Sequence, residues 1–96
     1  MGGMLAVLIT VRGRVQGVGF RWWATSEARY LNLSGHAENK ADGSVEIRAQ
    51  GEDEAVGRMI RLILEDPSTT ARPGRIEDYD LKWTDVVMGA KAFGYR

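Results

Sequence analysis

Three glycines and two arginines crowd into Gly13-Arg14-Val15-Gln16-Gly17-Val18-Gly19-Phe20-Arg21. A glycine-rich backbone can aim successive N–H groups at one point and so form a nest for an anion. An arginine beside it adds a planar guanidinium that grips two phosphate oxygens at once. From Met4 to Ser26 the chain carries Arg12, Arg14 and Arg21 and no acid, whereas acids gather later, at Glu52–Glu54, Glu65–Asp66 and Glu77–Asp80. The chemistry this predicts is recognition of a small anion, with Arg21 as its charged anchor. A polyanion would need a longer basic stripe. The plainer alternative is a tight turn whose glycines only permit positive φ.

The flanking elements decide between these readings. Leu5, Val7, Ile9 and Val11 alternate with Ala6, Leu8, Thr10 and Arg12, the period-two pattern of a strand, and its near-continuous apolar character suits a central one. A helix is predicted from Phe20 or Arg21 to Leu33, with Phe20, Trp23 or Ala24, Ala28 and Leu31 on its inner face and Gly35 as its left-handed C-cap. The loop therefore joins a buried strand to a helix N-terminus, where unpaired N–H groups and the positive dipole end favour an anion. Arg21 at that end disfavours an isolated helix; an anion held between the two removes the conflict.

Residues 36–40 and 44–50 flank Ala41-Asp42-Gly43, a strong hairpin signal. The strand after it is read as ending at Gly51. Acids at 52–54 suit the first turn of a second helix, whose stripe is Val56, Met59, Ile60 and Ile63. Asp66-Pro67-Ser68 stops it. Tyr79, Leu81 and Trp83 alternate with Asp80, Lys82 and Thr84 in a fourth strand, and residues 92–96 suggest a short fifth. The fold class this predicts is α+β: a ferredoxin-like βαββαβ sandwich, an antiparallel sheet with two helices on one face, the first strand beside the third. A flexible tail over residues 1–3 and one domain over 4–96 are expected.

Composition narrows the function. Lys+Arg and Asp+Glu balance at 13 each, so no global basic field argues for nucleic acid. The chain has no cysteine, which removes disulfides, zinc–thiolate sites and a thiol nucleophile together. No spacing of His, Asp and Glu suggests a metal site. A Walker A loop is excluded because no lysine precedes Lys40, and a dinucleotide fingerprint because its third glycine position holds Trp22. Asp78-Tyr79-Asp80 reads as the wet face of the fourth strand rather than an aspartyl-phosphate nucleophile. The run Met4–Ile9 is too short to span a bilayer, and neither myristoylation nor the sequon at Asn32 has supporting context. A cytoplasmic monomer is expected, with no membrane or nucleic-acid partner.

The string from Gly13 to Arg21 resembles the signature of the acylphosphatase family. A second block agrees: Gly35, then Asn39, then Asp42-Gly43-Ser44-Val45-Glu46, closing at Gly51. The resemblance covers the chain beyond the tail, and two motifs at the right separation are more specific than one glycine loop. It implies hydrolysis of acyl phosphates, which are carboxyl–phosphate anhydrides, to a carboxylate and inorganic phosphate without metal or cofactor. It implies that Val15, Gln16, Gly17, Val18, Gly19 and Phe20 supply a backbone cradle, that Arg21 anchors the phosphate, and that Asn39 orients the attacking water. His36 stands where relatives often have a bulky aromatic, Ala41 where a proline is usual, and Gly94 where a β-branched residue is common.

Other readings compete. The domain could bind phosphate or another anion without turnover, since fold alone does not set function, or could handle carbamoyl phosphate as part of a larger enzyme. The single histidine, His36, invites a role as base, but positions 36 and 39 of one strand face opposite ways, and packing is the better reading. Trp22 and Trp23 lie about 100° apart on a helix, so one belongs in the core and the other is partly exposed; packing is again preferred over stacking on substrate.

Overall fold

The computed structural model describes residues 3–95. Met1 and Gly2 of the expected tail, and Arg96 of the expected last strand, lie outside the described residues. The elements are β1 (Met4–Arg14), α1 (Phe20–Tyr30), β2 (Ser34–Asn39), β3 (Val45–Glu52), α2 (Asp53–Leu64), β4 (Arg75–Thr84) and β5 (Gly94–Tyr95). They form one sheet in the order β4-β1-β3-β2-β5. β1 is antiparallel to both β3 and β4, and β3 is antiparallel to β2. The expected ferredoxin-like sandwich is the fold.

The core lies between the sheet and the two helices. Val7, Ile9 and Val11 of β1 and Val45, Ile47 and Ala49 of β3 are buried on the face that meets Phe20, Trp23, Ala24 and Ala28 of α1 and Val56, Met59 and Ile63 of α2. Burying each of the larger side chains contributes about 1.5–3 kcal/mol. The α2 stripe runs through Leu62 rather than Ile60, which is only half-buried. No helix among the described residues is long and apolar enough to cross a membrane.

Several boundaries differ from the sequence-based expectation. α1 ends at Tyr30, not Leu33. Its left-handed capping residue is Asn32, at φ 58°. The Leu33 N–H donates to the Ala28 carbonyl and the Asn32 N–H to the Arg29 carbonyl, the paired bonds of a Schellman motif. Gly35 has another task. It lies inside β2 at φ 137°, and a Cβ there would sit 1.8 Å from the Arg48 carbonyl oxygen. Only glycine lets β2 approach β3 so closely. β3 runs one residue beyond Gly51, to Glu52.

β4 begins at Arg75 and carries Tyr79 and Trp83 in register with Val11 and Val7. Both aromatics share the core-facing side of the sheet yet stay exposed on β4, an edge strand. β5 is two residues long and pairs with β2 in parallel, so the fifth strand departs from an all-antiparallel sheet. Phe93 beside it is buried, and its carbonyl accepts from Arg29 Nε at 2.7 Å.

Candidate active site

β1 continues through Gly13 and Arg14 before the loop begins, so the turn proper is residues 15–19. The β1–β4 register shifts between Arg12 and Gly13, and a Cβ on Gly13 would lie 2.4 Å from the Arg75 carbonyl oxygen. Gly13 therefore serves a bulge against β4, and the cradle begins after it. Val15 and Phe20 bury their side chains at the two ends of the loop. Phe20 packs on Trp23, ring centroids 5.5 Å apart. Between these anchors Gly17 and Gly19 adopt φ 72° and 91°.

Gly19 is the N-cap of α1, with no side chain capping the first turn and no acid within it. The first helical bond runs from the Trp23 N–H to the Gly19 carbonyl at 3.0 Å. Among the described residues, the N–H groups of residues 16–19 make no hydrogen bond. A run of amides with no internal partner, meeting a helix N-terminus, is a ready anion site.

That loop opens onto a pocket of about 190 Å³ lined by Val15, Gly17, Gly19, Phe20, Arg21, Trp22 and Asn39. Arg21 and Asn39, far apart in sequence, thus share one cavity. Asn39 is the last residue of β2, and its Oδ1 is buried with no hydrogen-bond partner among the described residues. Leaving a buried acceptor unpaired costs about 1–3 kcal/mol, and such an atom beside an anion nest points to a ligand. The other two early arginines do not line the pocket. Arg12 is held by Asp78 at 3.2 Å and Asp80 at 2.5 Å on the opposite face of the sheet, and Arg14 is exposed. Asp78 and Asp80 are accordingly ion-pair partners on β4.

Two features that place these groups were not read from the sequence. Gln16 turns its side chain out of the loop, and its Nε2 donates to the Lys40 and Ser44 carbonyls, both at 2.8 Å. This ties the loop to the hairpin that presents Asn39. The hairpin is braced in turn: Asp42 Oδ1 accepts from the Ser44 hydroxyl at 2.6 Å and the Ser44 N–H at 2.9 Å. The Ser44 hydroxyl bond, with the N–H bond, holds the Asp42 carboxyl below its usual range. The Asp-Gly-Ser string signalled that brace; nothing local signalled the contact made by Gln16.

The tryptophans separate as their 100° spacing requires. Trp23 is 5% exposed, with its Nε1 donating to Thr70, whereas Trp22 is 67% exposed and forms a wall of the pocket. Trp23 is the core member of the expected pair and Trp22 the exposed one, because α1 turns that side outward at its first turn. His36 is half-buried on the far face of β2 and pairs with Glu46, so it does not reach the pocket.

An α+β sandwich that brings unpartnered loop amides, an arginine and a buried carboxamide to one cavity is a small domain with a candidate anion site. Comparison with known proteins makes the assignment specific. The acylphosphatase family model matches residues 7–94. An acylphosphatase from Mycobacterium sp. (strain JLS) is 49% identical over 76 residues, covering 79% of this chain and 77% of the relative. The crystal structure of acylphosphatase from Bacillus subtilis superposes with a TM-score of 0.81 at 32% identity, covering 96% of this chain and 98% of the other. Full-length HypF, in its phosphate- and nucleotide-bound form, contains a similar unit: TM-score 0.83 at 28% identity, over the whole of this chain but 12% of HypF. The chain belongs to the acylphosphatase family. Its reaction is the hydrolysis of acyl phosphates.

Proposed function

We propose that the loop 15–20 and Arg21 hold the phosphoryl group of the acyl phosphate, that Asn39 positions the attacking water, and that no metal takes part. The observation that carries this reading is the meeting of Arg21, the glycine loop and the unpartnered Asn39 Oδ1 at one pocket.

Phosphoryl transfer needs charge neutralisation and in-line positioning more than covalent chemistry. Backbone amides and a guanidinium supply the first. The amide of Asn39 can accept a hydrogen bond from water but cannot take its proton. Water oxygen bonds to phosphorus as the bond from phosphorus to the acyl oxygen breaks. The electron pair leaves with the carboxylate, and the water proton passes to a phosphoryl oxygen of the substrate itself. A carboxylate is a good leaving group, so no general acid is required. Among the described residues, the pocket lining includes no carboxylate or imidazole to hold a divalent cation. The exposed indole of Trp22 lines the same cavity and offers the acyl end an apolar surface.

The test is hydrolysis of benzoyl phosphate by the purified chain after exhaustive treatment with EDTA. Undiminished turnover is expected. Activity that vanishes and returns only with Mg²⁺ or Zn²⁺ would overturn the metal-free mechanism.

A further inference from the structure

The face of the sheet away from the helices carries a second cluster of chemically active groups. His36, Glu38 and Glu46 each offer one ligand atom, and these atoms lie within 4.8 Å of one another. His36 Nε2 is 3.0 Å from Glu46 Oε2 and 4.0 Å from Glu38 Oε1. All three side chains are largely covered, at 12%, 32% and 23% exposure for His36, Glu38 and Glu46.

The β-sheet register adds an independent observation. Glu38 and Glu46 are directly opposite each other across β2 and β3. Like charges facing each other across a strand pair are destabilising, and partial burial strengthens the repulsion. Their neighbours Ala37 and Ile47 point into the core, so neither glutamate can turn away through the sheet. One nearby cation relieves part of this. Lys40 Nζ stands 3.9 Å from both Glu38 and Glu46. Arg48, which faces His36 across the strands, gives its guanidinium instead to Gln50 Oε1 and the Asp85 carbonyl.

We infer that His36, Glu38 and Glu46 form a binding site for a divalent transition-metal ion of the zinc type, separate from the catalytic pocket. One imidazole and two carboxylates are a donor set that suits Zn²⁺. Ligand atoms around a tetrahedral zinc stand roughly 3.4 Å apart, given metal–ligand bonds near 2.0–2.2 Å. The observed separations need only small side-chain adjustments to reach that. On binding, Nε2 of His36 donates its lone pair to the metal, and any proton it carries is released to solvent. The ion staples β2 to β3 beneath the hairpin whose Lys40 and Ser44 carbonyls hold Gln16. It displaces Lys40 from the two glutamates.

The chain has one histidine, which makes the test direct. Protein without a polyhistidine tag is titrated with Zn²⁺ while the imidazole signals are followed by NMR and the affinity by calorimetry. The His36 resonances are expected to move and to saturate at one equivalent. Losing only an outer partner of a metal ligand costs about 10–100-fold in affinity, so His36→Asn and Glu46→Gln should each weaken Zn²⁺ binding by at least about tenfold. Lys40→Ala, on an exposed side chain, should tighten it by removing a competing cation. Imidazole signals that stay still at millimolar Zn²⁺ would overturn the site. So would an affinity unchanged in His36→Asn, or one weakened in Lys40→Ala.

Discussion

Two glycine-bearing turns sit side by side at one end of the sheet, and they treat their backbone in opposite ways. The β2–β3 hairpin satisfies itself. The Lys40 N–H donates to the Ser44 carbonyl, the Gly43 N–H to the Lys40 carbonyl, and the Ser44 N–H to the Asp42 carboxylate. The loop from β1 to α1 does the reverse, leaving the amides of residues 16–19 without a partner among the described residues. A turn that must only reverse the chain closes its own hydrogen bonds. A turn that must bind keeps its donors aimed outward and relies on others to hold it. Here the holding is done by buried Val15 and Phe20 and by the side chain of Gln16, which is anchored on the saturated hairpin.

The largest expected effect lies at the charge that completes the open turn. Arg21→Ala should lower kcat/KM for benzoyl phosphate by on the order of 10³-fold or more, as loss of a transition-state arginine does elsewhere. Arg21→Lys should recover little, because the fork is lost although the charge remains. Arg12→Lys, on the opposite face, should leave the kinetics near wild type. Equal losses at both arginines would replace the single anchor with a diffuse basic field.

Asn39 belongs to the saturated hairpin but lines the same pocket as the open turn. Asn39→Ala should reduce kcat by about 10²–10³, the usual cost of one oriented contact to the reacting centre. Millimolar phosphate should still raise the melting temperature of this variant, since a ligand bound only by the folded state stabilises it. Arg21→Ala should lose that shift. If Asn39→Ala loses it too while remaining folded, Asn39 is a phosphate ligand and the role in water positioning is wrong.

A matched pair sharpens the comparison further. Gly17 and Gly43 both have positive φ, 72° and 92°, and an added Cβ at either meets nothing within 4 Å. Alanine at each should therefore cost only backbone strain, about 1–2 kcal/mol. For a domain of this size that lowers the melting temperature by about 4–8 °C per kcal/mol. Gly43→Ala should stop there, with kinetics unchanged. Gly17→Ala should in addition weaken phosphate protection and catalysis by about tenfold or more, because under the proposed function its amide binds the phosphate. Identical kinetics for the two variants would show that the open amides are not used.

The smallest effect concerns Trp22. Trp22→Ala should lower kcat/KM for benzoyl phosphate about two- to tenfold, the range set by aromatic contacts of about 0.5–1.5 kcal/mol. Acetyl phosphate hydrolysis and inhibition by phosphate should hardly change. A uniform loss on both substrates would make Trp22 a support for the loop rather than a wall for the acyl group.

Much of this molecule could be read before folding it, because the informative patterns are local. Alternation in Leu5–Val11, the i, i+3, i+4 stripe of α2 and the Asp-Gly turn each encode an element within a few residues. The arrangement of loop, helix N-terminus and Arg21 is contiguous, so its capacity for an anion is written in the string itself. Asn39 could be linked to it only through resemblance to a family, since most of α1 and β2 lies between Arg21 and Asn39.

The remaining assignments depended on contacts between distant segments. Gly13 and Gly35 look like any turn or cap glycine in sequence, yet each is required because a carbonyl of a neighbouring strand, that of Arg75 or Arg48, occupies the space of a Cβ. Asn32 displaced Gly35 as the helix cap for the same reason: Gly35 was already committed to β2. The guanidinium of Arg72 donates to the Leu62, Ile63 and Glu65 carbonyls at the end of α2, a cap supplied by a loop residue that no helix-end rule would select. His36, Glu38 and Glu46 come together only when the hairpin register places two strands side by side. Periodicity is a property of the chain and survives in the sequence. Register, close approach and which side of a helix meets the core are properties of pairs of segments, and only the folded structure decides them.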